Sequence, residues 1–127
     1  MLVNCLFVGL GGFVGSVLRY LVGFIPVGIT VGASTAFPIK TLVINVVGSF
    51  VIGIVCALAS RLGVGMNPQL LLFLKVGLCG GFTTFSTFAL ESNGLIQAGQ
   101  APLALLYAAL SVALSIAAVF AAQALVK

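Results

Sequence analysis

The residues best suited to contact an ion lie in the segment LCGGFTTFSTF (78–88), which combines two glycines, four hydroxyl side chains and three phenylalanines. Adjacent glycines and β-branched threonines are poor helix formers, so the segment favours an interrupted helix. A freed carbonyl can coordinate a cation, and a freed N–H group or a hydroxyl can donate to an anion. The positive edge of a phenyl ring can also meet an anion. The segment therefore predicts an ion site.

Two further rows of polar side chains recur every four residues, which places each row on one face of a helix. The rows are Thr41, Asn45 and Ser49, and Tyr107, Ser111 and Ser115. The amide of Asn45 can either bond a neighbouring helix or donate to an ion. The same two alternatives hold for the hydroxyls of the second row.

Charged side chains are few: five Lys and Arg stand against one carboxylate, Glu91, and no histidine. Proton-coupled transport normally uses Asp, Glu or His relays, so this composition gives little support to proton coupling. Amide, hydroxyl, phenyl edge and guanidinium groups together favour a small anion. Arg19 either reaches the membrane surface with its long side chain or supplies positive charge to a vestibule. The basic residues form no cluster, so a nucleic-acid partner is not indicated.

The elements that position these residues are membrane helices. The chain has 127 residues, of which 62% are hydrophobic, and its mean hydropathy is +1.39. Since a spanning helix needs roughly 20 apolar residues, the sequence predicts one all-α integral membrane domain with four helices. Their expected bounds are about 3–25, 39–60, 68–97 with a break at 80–84, and 102–126, with a loop over 26–38.

The distribution of basic residues predicts how the chain inserts. Three basic residues fall on one side of the four predicted helices and two on the other, namely Arg61, Lys75 and Lys127 against Arg19 and Lys40. Orientation follows the excess of Lys and Arg in short loops, and here the excess is nearly absent. Insertion in both orientations, and hence an antiparallel homodimer, is expected. The alternative is that Arg19 and Lys75 lie too deep in the membrane to count, which leaves a weak bias towards one orientation. Gly11 and Gly15 in the first helix have the spacing of a close helix–helix contact.

Three segments together resemble one known family. GGFTTFSTF (80–88) resembles the third-helix motif of the Fluc fluoride channels, also called the CrcB family. GGFVGSVLRY (11–20) and TLVINVVGSF (41–50) resemble the first and second helices of that family. The resemblance implies a dual-topology dimer in the bacterial inner membrane that exports toxic fluoride passively.

The resemblance also implies roles for individual residues. The ring edges of Phe85 and Phe88 would meet fluoride, and Asn45 would be the pore asparagine. The remaining predicted pore residues are Ser86, Thr87, Tyr107, Ser111, Ser115 and Arg19. Gly80 and Thr83 would offer backbone carbonyls to a structural Na⁺ at the dimer centre.

Two alternative functions remain open at this point. A small multidrug-type, proton-coupled exporter has the same length and number of helices, but its mechanism needs a carboxylate in the first helix, and this sequence has none there. A non-transporting assembly subunit would use every polar row only to bond neighbouring helices.

Overall fold

The computed structural model describes residues 1–31 and 35–127. Four helices in these two ranges are long and apolar enough to cross a membrane. They are Leu2–Val22, Ile39–Leu62, Pro68–Gln97 and Ala101–Leu125. The prediction of four spanning helices is confirmed, and the chain is a multi-pass membrane protein. The first helix, α1 (Leu2–Val22), ends three residues earlier than the predicted bound of about 25.

The third span is a series of short elements rather than one regular helix. It comprises α3 (Pro68–Leu71), a π-helical segment (Leu72–Cys79), α4 (Gly80–Phe82) and α5 (Phe85–Gln97). Only two residues between these elements leave the helical conformation, Thr83 with ψ 158° and Thr84 with φ −151° and ψ 114°. The predicted break at 80–84 is therefore too wide, because the two glycines are still helical.

One of these glycines, Gly81, serves close packing instead, whereas a Cβ on Gly80 would meet nothing within 4 Å. Gly11 and Gly15 are buried on the face of α1 that meets the third span. A Cβ on Gly81 would lie 2.6 Å from the carbonyl oxygen of Gly12, so no larger residue fits without moving the backbones apart. Small residues at such contacts let membrane helices approach closely. The predicted packing role of the first-helix glycines is confirmed by this contact.

A short β-hairpin joins α1 to α2 (Ile39–Leu62). Its strands are β1 (Ile29–Val31) and β2 (Thr35–Phe37), which pair antiparallel. The expectation of an all-α chain with a loop over 26–38 is wrong for these strands, whose β-branched and aromatic residues favour extended pairing. The part of that expectation that falls on residues 32–34 lies outside the described residues.

The buried core lies at the hairpin end of the bundle, between α2, α5 and α6 (Ala101–Leu125). Its members are Phe37, Leu42, Leu95, Ala104 and Tyr107. Many large apolar side chains elsewhere are exposed, among them Phe13 at 69%, Phe85 at 79% and Phe120 at 68%. Surfaces of this kind need lipid or another protein chain to cover them.

Candidate ion pathway

The break in the third span is held by the side chain of Asn45 on α2. The backbone N–H of Thr84 donates to Asn45 Oδ1 at 2.8 Å, and Asn45 Nδ2 donates to the Thr84 carbonyl oxygen at 3.1 Å. The amide thus pairs with the extended backbone as a neighbouring strand would. Asn45 also lines the cavity described below, and its Nδ2 carries a second hydrogen. Bonding a neighbouring helix and donating to an ion are therefore compatible for this residue.

The hydroxyl of Thr84 caps the helix that follows the break. The backbone N–H of Thr87 donates to Thr84 Oγ1 at 3.2 Å, as expected for a residue immediately before a helix. Thr84 Oγ1 also lies 2.9 Å from Thr87 Oγ1 and 3.3 Å from Ser86 Oγ. Ser86 and Thr87 therefore belong to a capping network and are not in the cavity lining.

These two side-chain acceptors replace two backbone acceptors. In an unbroken helix the N–H of Thr84 would donate to the Gly80 carbonyl, and that of Thr87 to the Thr83 carbonyl. Here the first donates to Asn45 and the second to the Thr84 hydroxyl. The carbonyl oxygens of Gly80 and Thr83 are thereby released from their helical partners.

A cavity of about 440 Å³ lies beside the break. It is bounded by α2, the third span and α6. Its lining consists of Asn45, Gly48, Ser49, Ile52, Lys75, Cys79, Gly80, Thr83, Thr84, Phe85, Phe88, Ser111, Val112, Ser115 and Ile116. The structure therefore brings together five of the predicted pore residues and both predicted cation-binding residues, Gly80 and Thr83.

The α6 serines give the cavity its hydroxyl donors. Ser111 is only 8% exposed, and its Oγ is buried without a hydrogen-bond partner among the described residues. An unpaired buried hydroxyl is uncommon in folded proteins, so this group is free to donate to a bound species. Ser115, one helical turn further along α6, is half-buried in the same lining.

Two phenylalanines of the motif, Phe85 and Phe88 on α5, line the cavity. The ring centroids of Phe85 and Phe88 are 5.5 Å apart at an interplanar angle of 46°. Phe88 also packs against Tyr107, with centroids 5.0 Å apart. Phe85 is mostly exposed in the single chain, whereas Phe88 is half-buried.

Glu91 is a site residue that the sequence reasoning missed. Thr41 Oγ1 donates to Glu91 Oε1 at 2.8 Å, and the hydroxyl of Tyr107 donates to Oε2 at 2.7 Å. The predicted pore residue Tyr107 is fully buried and lies beside the cavity rather than in its lining. A signal was present in the sequence, because Thr41 and Tyr107 each begin one of the polar rows and Glu91 follows Phe88 by one turn.

The structure separates two basic residues that the sequence left ambiguous. Arg19, in the last turn of α1, is half-buried and does not line the cavity. Lys75, in the π-helical segment, does line it. Among the lining residues, Lys75 alone carries a formal charge.

Membrane helices that line a cavity with polar groups at a helix break are typical of the channel and transporter class. A protein-family model described as "CrcB-like protein, Camphor Resistance (CrcB)" matches residues 6–123, and the chain belongs to this family. The resemblance predicted from the sequence motifs is confirmed.

Curated relatives match the chain over nearly its whole length. A protein of Rhizobium meliloti named "Fluoride-specific ion channel FluC" is 45% identical over 124 residues, which cover 98% of this chain and 96% of the relative. Proteins of the same name from Chlorobaculum tepidum and Shewanella halifaxensis are 44% and 40% identical. The first covers 98% of this chain and 94% of the relative, and the second covers 97% and 95%.

Proposed function

We propose that this protein is a passive, fluoride-selective ion channel, as its relatives are named. The observation that carries the proposal is the cavity at the helix break. Amide, hydroxyl and phenyl groups line it together with one positive charge, and its lining contains no carboxylate. These side-chain donors and the positive charge favour an anion as the ion that permeates the cavity.

Fluoride is small and strongly hydrated, so a pore must replace its water with several hydrogen-bond donors. The unpaired hydroxyl of Ser111, the hydroxyl of Ser115 and the second N–H of Asn45 are donors of this kind. The ring edges of Phe85 and Phe88 add positive partial charge, although both side chains are apolar. A narrow path between rings would exclude the larger chloride ion.

The position of Glu91 argues against a proton-coupled exporter. A coupling carboxylate must be reached alternately by protons and by substrate. Both oxygens of Glu91 instead accept hydrogen bonds, one from Thr41 and one from Tyr107, and Glu91 does not line the cavity. The chain has no other acidic residue to take this role. A channel mechanism without coupling follows.

The residues fit the structural Na⁺ that the family resemblance implies. Hard cations prefer oxygen ligands, and the carbonyls of Gly80 and Thr83 are both released from helical hydrogen bonding by Asn45 and Thr84. These two carbonyls would hold the ion, together with the same pair from a second copy. The bound cation would supply a fixed positive charge at the centre of the assembly.

The proposal includes an antiparallel homodimer in the bacterial inner membrane, surrounded by lipid. Lys40 Nζ donates to the Gly23 carbonyl, and Arg61 Nη1 donates to the Val126 carbonyl at 2.9 Å. The two ends of the helix bundle therefore each carry basic residues, which is what insertion in both orientations requires. The exposed face around Phe85 is the surface that a second copy would cover.

Passive efflux from proteoliposomes tests the function directly. Vesicles loaded with fluoride or with chloride are compared after the membrane potential is relieved, with and without a proton gradient. We expect rapid fluoride loss, negligible chloride loss and no effect of the gradient. Equal rates for the two ions would refute selectivity, and proton-driven export of lipophilic cations would favour the exporter. Vesicles that retain both ions would favour an assembly subunit.

A further inference from the structure

The side chain of Lys75 has an unusual setting for a membrane protein. It belongs to a spanning segment, lines the cavity and is exposed in the single chain. The acidic residue Glu91 lies outside the cavity lining and accepts hydrogen bonds from two hydroxyls. Since Glu91 is the sole carboxylate side chain in the sequence, the charge of Lys75 is not balanced within the cavity.

Lys75 also has a defined position along the cavity. It is the first residue of the third span to line the cavity, and Phe88 is the last. The helix break at Thr83 and Thr84 lies between them. Lys75 and the pair Phe85 and Phe88 therefore line the cavity on opposite sides of the break.

We propose that Lys75 is an entry residue that draws anions into this cavity and thereby sets the fluoride concentration available to the pore. The inference rests on the proposed function and names one residue that determines the charge selectivity of that site. A charge in a partly enclosed, apolar-walled cleft focuses its field on the opening and raises the local concentration of counter-ions. Lysine suits this role because its ammonium is a compact point charge on a flexible stem.

The size of the effect follows from the size of the cavity. A volume of about 440 Å³ corresponds to a width of roughly 8 Å. At that separation a unit charge enriches a monovalent anion about twofold in a medium as polar as water, and about thirtyfold at an effective dielectric constant of ~20. The Debye length falls from about 30 Å at ~0.01 M to about 3 Å at ~1 M salt, so the enrichment must vanish at high ionic strength.

The experiment measures initial fluoride efflux from proteoliposomes at about 0.01 M and about 1 M ionic strength, adjusted with gluconate on both sides. We expect Lys75→Gln to lower efflux at least about twofold at low ionic strength and less than about 1.5-fold at high ionic strength. Lys75→Arg should retain wild-type efflux in both conditions. Lys127→Gln is the matched control, since it removes one exposed charge outside this cavity and should change neither rate.

Each outcome separates the two proposals. Wild-type protein that releases no fluoride refutes the proposed function, whatever the variants do. If the wild type conducts and Lys75→Gln matches it at low ionic strength, the entry role is wrong. An equal loss at both ionic strengths, or the same loss in Lys75→Arg, would show that the residue acts through structure and would also refute it. Size-exclusion profiles of all variants verify folding, and Lys75→Met replaces Lys75→Gln if that variant is unfolded.

Discussion

The substitution Asn45→Ala tests whether the break depends on a single side chain. It removes both hydrogen bonds between Asn45 and the backbone of Thr84, at 2.8 Å and 3.1 Å. Thr84 is only 7% exposed, so its N–H and carbonyl groups have little access to water as a replacement. The break should lose its anchor, and both stability and fluoride flux should fall.

The expected magnitude follows from the two bonds. A buried polar group left unpaired costs about 1–3 kcal/mol in general, whereas hydrogen bonds between membrane helices average about 0.6 kcal/mol. Two polar groups lose their partners here, the N–H and the carbonyl of Thr84, and both belong to the backbone and cannot turn towards another partner. We therefore expect Asn45→Ala to lower the free energy of unfolding by about 2–4 kcal/mol.

The assay is unfolding in detergent, followed by helical circular dichroism and by size-exclusion chromatography, alongside fluoride efflux. Ser49→Ala is the control, because Ser49 lies one turn further along the same row and also lines the cavity. Asn45→Asp is a second test. It retains the oxygen that accepts from the Thr84 N–H, but it replaces the donor to the Thr84 carbonyl with a second oxygen and so removes that hydrogen bond. Wild-type stability in Asn45→Ala, or an equal loss in Ser49→Ala, would refute the reasoning.

Three further predictions concern neighbouring residues. Tyr107→Phe removes the donor at 2.7 Å from Glu91 and should destabilise the protein by about 1.5–3 kcal/mol in the same unfolding assay; an unchanged midpoint would contradict this. Ser111→Ala removes a hydroxyl without a partner among the described residues, so unfolding should shift by less than about 0.5 kcal/mol while fluoride efflux falls; a normal efflux rate would show that no ion uses this hydroxyl. Phe85→Ile and Phe88→Ile should each abolish most fluoride flux while the dimer persists on size exclusion, and wild-type flux in both would mean that the rings only pack.

The four spans were predictable because long apolar runs have few alternative structures. The helix bounds differ from the prediction by a few residues, as at the end of α1, where Val22 rather than residue 25 is the last helical residue. The two polar rows were also predictable, since a spacing of four residues fixes a helix face whatever lies opposite. The hairpin was missed because the many Gly, Pro and Ser residues in 26–38 indicated a loop, and each strand is only three residues long.

The exact location of the break was not predictable, because it depends on contacts with another helix. Gly80 and Gly81 have low intrinsic helix propensity, yet both stay helical, and Gly81 packs against Gly12 on α1. Thr83 and Thr84 leave the helix where Asn45 offers a replacement for the lost backbone bonds. Low helix propensity therefore indicated the segment in which the helix breaks, whereas contacts with α1 and α2 determine which residues leave the helical conformation.

The hydrogen bonds around the break explain how one segment can provide groups for ions of both signs. Breaking a membrane helix exposes donors and acceptors in equal number, and neither can be left in lipid. At this break the N–H groups of Thr84 and Thr87 are taken by side-chain oxygens, those of Asn45 and Thr84. The carbonyls of Gly80 and Thr83 are then left as the unpaired partners, which suits a cation. The amide, hydroxyl and ammonium groups of the cavity lie beside these carbonyls, and they carry the proposed selectivity for an anion.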